Sequence, residues 1–232
     1  MLQVSDLRAG YATGDVLQGV DVDVAPGEIV GVVGRNGVGK TTLMKAVIGL
    51  LQCRAGTIAF DGAEVTRAPA EDRARSGMAY VPQGRGIFTS LSVEENLRMG
   101  GFINAQNAEP DYERVYRYFP FLKERLNQRG GTLSGGQQAM LAIGRALINR
   151  PKLLLLDEPS DGVQPSIVHE IGDHVRSLNE NEGLAVLIVE QNVDLMQLVA
   201  HRAYALDKGA VVAELPKAQI DDTETLSRYL DL

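Results

Sequence analysis

The chain has 232 residues, 44% of them hydrophobic and 23% charged, with a formal net charge of −7; this is the profile of a globular domain that buries its own core without a disulfide or metal staple. The charge balance excludes the broad basic field of a nucleic-acid binder, and the longest apolar runs, residues 153–156 and 184–189, fall well short of the ~20 residues that span a bilayer as a helix. Cys53 is the single cysteine, which rules out an internal disulfide and any multi-cysteine metal site. Residues 1–10 carry Asp6 and Arg8 and do not read as a secretory signal, so the expectation is a soluble intracellular protein.

Residues 2–7 and 16–24 alternate apolar and polar side chains, as half-buried strands do. Pro26-Gly27 marks a turn. Residues 28–33 form a short, mostly β-branched run ending in a glycine-rich loop, and a helix is expected over 40–51. Residues 56–60 and 64–66 read as a hairpin about Asp61-Gly62, and 78–81 as another short buried strand. From about 84 to 149 the texture changes. Helices are expected over 93–99 and 136–149, the second stopped by Pro151. Tyr112, Val115, Tyr116 and Phe119 fall at i, i+3, i+4 and i+7, one helical face, and read as helix core rather than a base-stacking platform. Apolar strands return at 152–156 and 184–189, on either side of a helix at about 167–179.

Strand–helix–strand with fully apolar strands implies a parallel sheet covered on both faces, an α/β fold. The expected organisation is one domain over 1–232, with a core sheet at about 1–83 and 150–214 and an inserted helical subdomain at about 84–149. The tail, 215–232, contains Asp221, Asp222 and Glu224 and reads as a solvated C-terminal helix. His169 and His174 lie five apart, the wrong interval for sharing a helix face, so no histidine metal site is expected.

Gly34-Arg35-Asn36-Gly37-Val38-Gly39-Lys40-Thr41, followed by Thr42, matches G-x-x-x-x-G-K-[ST] between a buried strand and a helix. The glycines let successive backbone N–H groups turn inward toward phosphate oxygens, and the start of the next helix adds partial positive charge. Lys40 is expected to reach the β- and γ-phosphates of a nucleoside triphosphate, and Thr41 to offer its hydroxyl to Mg²⁺. Further on, an apolar strand ends in Asp157-Glu158. Asp157, at the strand's carboxyl end, suits the Mg²⁺ shell. Adjacent residues of an extended chain point opposite ways, which leaves Glu158 to orient or deprotonate an attacking water.

Between these sites stands Leu133-Ser134-Gly135-Gly136-Gln137-Gln138. Ser134 reads as a helix N-cap, but a cap does not need two glycines after it; Ser134 with bare N–H groups at a helix start makes a second phosphate-binding surface. With this segment the sequence resembles the ATP-binding subunits of ABC transporters, whose signature is LSGGQ, over nearly the whole chain and with the motifs in order. The resemblance implies a P-loop ABC-type ATPase with an N-terminal antiparallel β portion and an inserted helical subdomain. It implies ATP and Mg²⁺ as cofactors, an adenine-stacking role for Tyr11, and a role for Gln83 between Mg²⁺, water and the helical subdomain. It also implies a head-to-tail pair of ATPase subunits in which Ser134, Gly135, Gly136 and Gln137 of one close on ATP held by the other.

Further phrases narrow the resemblance. Tyr80-Val81-Pro82-Gln83-Gly84-Arg85 with Ile87-Phe88, and Val189-Glu190-Gln191-Asn192, are similar to the shorter ATPase subunit of branched-chain amino-acid importers; Asp161-Gly162-Val163-Gln164-Pro165-Ser166-Ile167 resembles that of urea or short-chain amide importers. Two permeases, a solute-binding protein outside and a place on the cytoplasmic face of the inner membrane follow from this, with no nucleic acid; Arg85, Ile87 and Phe88 lie where such subunits dock a helix of the permease. Gln191 stands where most of the family has a phosphate-contacting histidine, and Gln164 where its loop ends in aspartate. Glutamine hydrogen-bonds but carries no charge, and both changes fit a heterodimer with a second ATPase subunit, a homodimer being the alternative. A soluble ABC-type ATPase acting on DNA or ribosomes fits less well, because the chain has one ATPase copy and no heptad insertion. A regulatory half-site is opposed by Glu158.

Overall fold

The structure, a computed structural model, describes residues 1–12, 14–103 and 109–230. It holds two sheets. One is antiparallel, in the order β2-β1-β4-β5, from β1 (Leu2–Tyr11), β2 (Gly14–Val24), β4 (Cys53–Phe60) and β5 (Ala63–Glu64). The other runs β10-β9-β3-β8-β7-β6, from β3 (Ile29–Val33), β6 (Met78–Val81), β7 (Leu153–Asp157), β8 (Ala185–Val189), β9 (Arg202–Asp207) and β10 (Ala210–Pro216). Its neighbours pair in parallel except at β10. The expected strands are present, with the second hairpin strand displaced to Ala63–Glu64. The β9–β10 hairpin, which turns on Lys208 and Gly209 at φ 44° and 80°, carries no Asn-Gly or Asp-Gly signal in the sequence.

Period-two alternation divides the parallel strands between two cores. Val30, Val32, Leu153, Leu155, Leu187 and Val189 face the antiparallel sheet and α1 (Lys40–Ile48). Leu154, Leu156, Val186 and Ile188 face the opposite way, toward α6 (Gly135–Leu147) and α7 (Pro165–Glu182). Both faces are covered, which is why these strands are apolar throughout. The first helix stops three residues early because Gly49 takes φ 86°. Its last carbonyls, on Ala46 and Val47, accept from the Arg73 guanidinium of α2 (Ala70–Arg75), which is 2% exposed. The seventh helix is longer than expected, opening on Pro165 and ending at Gly183.

Helices α3 (Val93–Gly101), α4 (Tyr112–Tyr118) and α5 (Pro120–Glu124) join α6 in the second of these cores. Val115 and Phe119 are fully buried there, and Tyr112 and Tyr116 pack against it, as the helical spacing implies; Pro120 ends α4 at Phe119.

The tail departs from expectation. Instead of a solvated helix, α9 (Lys217–Ile220) and α10 (Thr223–Leu230) pack on α8 (Val193–Val199), with Ile220 and Leu226 fully buried. Gln197 of α8 ties them down, donating to the carbonyls of Ile220 and Asp221 and to Thr223 Oγ1. The acidic residues that gave the tail its solvated character lie on the outer side, and the apolar ones between them face the core. Leu226→Ala is therefore expected to cost roughly 2 kcal/mol, read as a lower urea midpoint at unchanged slope; a solvated helix would show no change.

Candidate functional site

Parallel pairing sets the carboxyl ends of β3, β6, β7 and β8 along one edge, the place where open α/β sheets take ligands. The loop leaving β3 wraps tightly. Gly34 has φ 148°, and a Cβ there would lie 2.3 Å from the Leu206 carbonyl oxygen, so only glycine fits. Gly39 caps α1 without a side-chain bond and no acid sits in the first turn, which leaves the helix start electropositive. Thr42 is buried at the same end. Lys40, 4% exposed, folds back to donate to the carbonyls of Gly34 (2.7 Å) and Arg35 (2.9 Å) and lies 3.3 Å from Glu158 Oε1. Arg35, Asn36 and Gly37 are exposed on the rim, while Val38 packs into the core. Tyr11, at the end of β1, is 44% exposed.

The two acids at the end of β7 have separate surroundings. Asp157, 1% exposed, accepts from Thr41 Oγ1 at 3.0 Å and from the Tyr80 hydroxyl at 2.9 Å. Burial pushes its carboxyl above the ordinary value, against the pull of these two bonds. Burial and then the Asp157 charge hold the Tyr80 phenol well above its own. Glu158 is not separated by strand alternation, as the sequence reading supposed: its backbone leaves the strand at φ 49°, a left-handed position costing about 1–3 kcal/mol. Its Oε1 accepts from Gln191 Nε2 (2.8 Å) and its Oε2 from Gln83 Nε2 (2.9 Å). Gln191 Nε2 also donates to Asn36 Oδ1 at 2.8 Å, so one amide links the phosphate loop to the acid.

Sequence reasoning missed two residues here. Tyr80 is one. The other is Glu190, 2% exposed, whose carboxylate accepts from the backbone N–H groups of Ser160, Gln191 and Asn192 and so holds both adjoining loops. The signal for it was available: like Asp157, it is an acid directly after a fully apolar strand.

The segment Ser134–Gln137 stands apart. Ser134 Oγ accepts from Gln137 N–H, and Gln137 Oε1 accepts from Ser134 N–H, a reciprocal capping box that starts α6. No hydrogen bond among the described residues joins this segment to the phosphate loop. The second glycine has a local reason that the sequence reading did not see: a Cβ on Gly136 would lie 2.1 Å from Ile167 Cγ2 of α7. Arg85, at φ 71°, does not face outward with Phe88. Its guanidinium donates to Gln138 Oε1 and to the carbonyls of Asp161 and Gly162, and Ile87 packs against the core. Phe88, 43% exposed, lines a groove of about 540 Å³ together with Leu50, Tyr80, Phe102, Ile103 and Arg145.

The sequence model described as "ABC transporter" matches residues 17–161. The chain is 44% identical over 213 residues to the high-affinity branched-chain amino acid transport ATP-binding protein BraG of Pseudomonas aeruginosa, covering 91% of each. It is 35% identical over 231 residues to the lipopolysaccharide export system ATP-binding protein LptB of Escherichia coli, covering 98% of this chain and 95% of that one. A nucleotide-free ATP-binding cassette from an ABC transporter superposes with a TM-score of 0.84 at 25% identity, covering 99% and 98%. The chain belongs to the ABC transporter family. It is the ATP-binding subunit, an ATPase, and no helix among its described residues is long and apolar enough to cross a membrane.

Gly136→Ala is expected to destabilise the chain by about 1–3 kcal/mol through overpacking against Ile167, measured by urea unfolding. Adding Ile167→Ala should return part of that loss; two independent, additive costs would refute the close contact.

Proposed function

We propose that the chain powers uptake of branched-chain or other hydrophobic amino acids, hydrolysing ATP as one of two ATPase subunits beneath two membrane permeases. The observation that carries the reading is the bracketing of Glu158 by Gln83, Gln191 and Lys40 at the mouth of the phosphate loop, a carboxylate aimed where a terminal phosphate would sit. The 44% identity to BraG favours amino acids; the Asp161–Ile167 phrase keeps urea or short-chain amides as the second substrate class.

In this reading the backbone of residues 34–42 cradles the phosphates, and Tyr11 stacks on adenine. Lys40 exchanges its loop carbonyls and Glu158 for phosphate oxygens, which releases Glu158 to accept a proton from water held by Gln83 and Gln191. The donor set suits a small hard dication, since Asp157 is met only by neutral groups, the Thr41 and Tyr80 hydroxyls and the Gln83 backbone N–H. Thr41, Asp157 and Gln83 would hold Mg²⁺, which neutralises phosphate charge when bound.

Ser134–Gln137, unbonded to the chain's own phosphate loop among the described residues, serve the ATP of the partner ATPase, so that ATP closes the pair and its loss opens it. The arm at about 84–149 carries this surface. The groove beside Phe88 takes a cytoplasmic helix of a permease, which places the subunit on the cytoplasmic face of the membrane, with a solute-binding protein on the far side.

Glu158→Gln should lower ATP turnover by roughly 10²–10⁴-fold while nucleotide binding persists. Tagged Glu158→Gln protein purified with ATP and Mg²⁺ from detergent-solubilised native membranes should carry two permeases and a second ATPase subunit, identified by mass spectrometry. A soluble complex without membrane proteins would overturn the transport reading. Because Gln191 and Gln164 favour a heterodimer, the purified chain alone should hydrolyse ATP weakly and without cooperativity; robust cooperative turnover would count for a homodimer.

A further inference from the structure

Tyr80 joins two places that are otherwise separate. It sits on β6 opposite Leu155 of β7 in the parallel register, and Leu155 and Asp157, two apart, share a face of β7. The Tyr80 hydroxyl therefore reaches along the neighbouring strand to Asp157 Oδ2 at 2.9 Å, while Thr41 of the phosphate loop holds Oδ1 at 3.0 Å. The ring itself lines the groove that also exposes Phe88 and Leu50 and packs against the core below the antiparallel sheet. Phenylalanine would fill the same space. A half-buried phenol needs a hydrogen-bond partner, and this one donates to the carboxylate.

We infer that Tyr80 is a positioning residue for Asp157: its hydroxyl fixes the carboxylate's orientation so that the remaining lone pairs face the phosphate loop and the metal-bearing nucleotide. The inference rests on the proposed role of Asp157 in holding Mg²⁺. Thr41 holds Oδ1, and the backbone N–H of Gln83 also bonds the carboxylate; the Tyr80 hydroxyl, on a ring packed between the groove and the core, is the side-chain bond that holds Oδ2 against rotation about Cβ–Cγ. Outer partners of a ligating group typically change metal affinity by about 10–100-fold when removed.

The test is binding, not turnover. A fluorescent, non-hydrolysable ATP analogue is titrated into the full chain in EDTA and in excess Mg²⁺. By reciprocity, the gain in nucleotide affinity on adding Mg²⁺ reports the hold on the metal. Tyr80→Phe should lose about tenfold of that gain, with the affinity in EDTA within about twofold of the parent and thermal unfolding shifted by only a few degrees. Asp157→Asn serves as the control. If Asp157→Asn loses the gain and Tyr80→Phe keeps it, the positioning role is wrong and the metal reading stands. If both keep it, the metal reading itself fails and takes the inference with it. A Tyr80→Phe protein weakened equally in EDTA and Mg²⁺ would mean a merely structural tyrosine and would also overturn the proposal.

Discussion

Everything at the candidate site depends on the parallel pairing of β6, β7, β8 and β3. Parallel strands end at the same edge, so segments following residues 33, 81, 157 and 189 arrive together although more than 150 residues separate the first and last. An antiparallel arrangement would have sent half of them to the opposite side. The cost is that the strands are buried on both faces and need two covering layers. One is the antiparallel sheet with α1, the other the helical arm with α7. The long insertion between β6 and β7 is thus part of the sheet's burial as well as the carrier of Ser134.

The acids at this edge are governed by different forces. Asp157 is desolvated and held by two neutral hydroxyls and the Gln83 backbone N–H, with no salt bridge to it among the described residues. Glu158 sits beside Lys40, with side-chain exposures of 10% and 4%, and its two oxygens are engaged by two amides from different loops. At exposures this low the Lys40–Glu158 contact is screened less by water than a surface pair would be. The same lysine also donates to the carbonyls of Gly34 and Arg35 in its own loop.

Arg85 gives the region its mechanical continuity. It stands between Gly84 and Gly86 at φ 71°, with both glycines also at positive φ, and its guanidinium spans three segments: its own loop, the start of α6 through Gln138, and the loop after Glu158. Arg145 of α6 returns the bond, donating to the Gly86 carbonyl and lying 5.2 Å from the Phe88 ring centroid. The loop that carries Gln83 is therefore bolted to the helix that carries the signature. A non-glycine residue held in the left-handed region costs free energy, and the three bonds offset it.

The phosphate loop, the Asp157-Glu158 pair and the signature were legible in the sequence because each is contiguous: spacing alone encodes the turn, the strand end or the cap. The apolar strands and the face of Tyr112, Val115, Tyr116 and Phe119 were legible for the same reason, since periodicity is local. Tyr80 and Arg85 were not, because their partners lie 77 and 53–77 residues away, and no spacing announces such a pairing; Glu190 left a local signal, but not its bond to Ser160, 30 residues off. Gly136 also has a packing reason, the approach of Ile167 from α7, that no local spacing announces. The tail was misread because charge was counted along the chain, whereas burial is decided around the helix. Residue types in short order determined which chemistry this chain carries; only the folded sheet decided which groups meet, because meeting depends on strand register and side-chain packing between segments that the sequence keeps far apart.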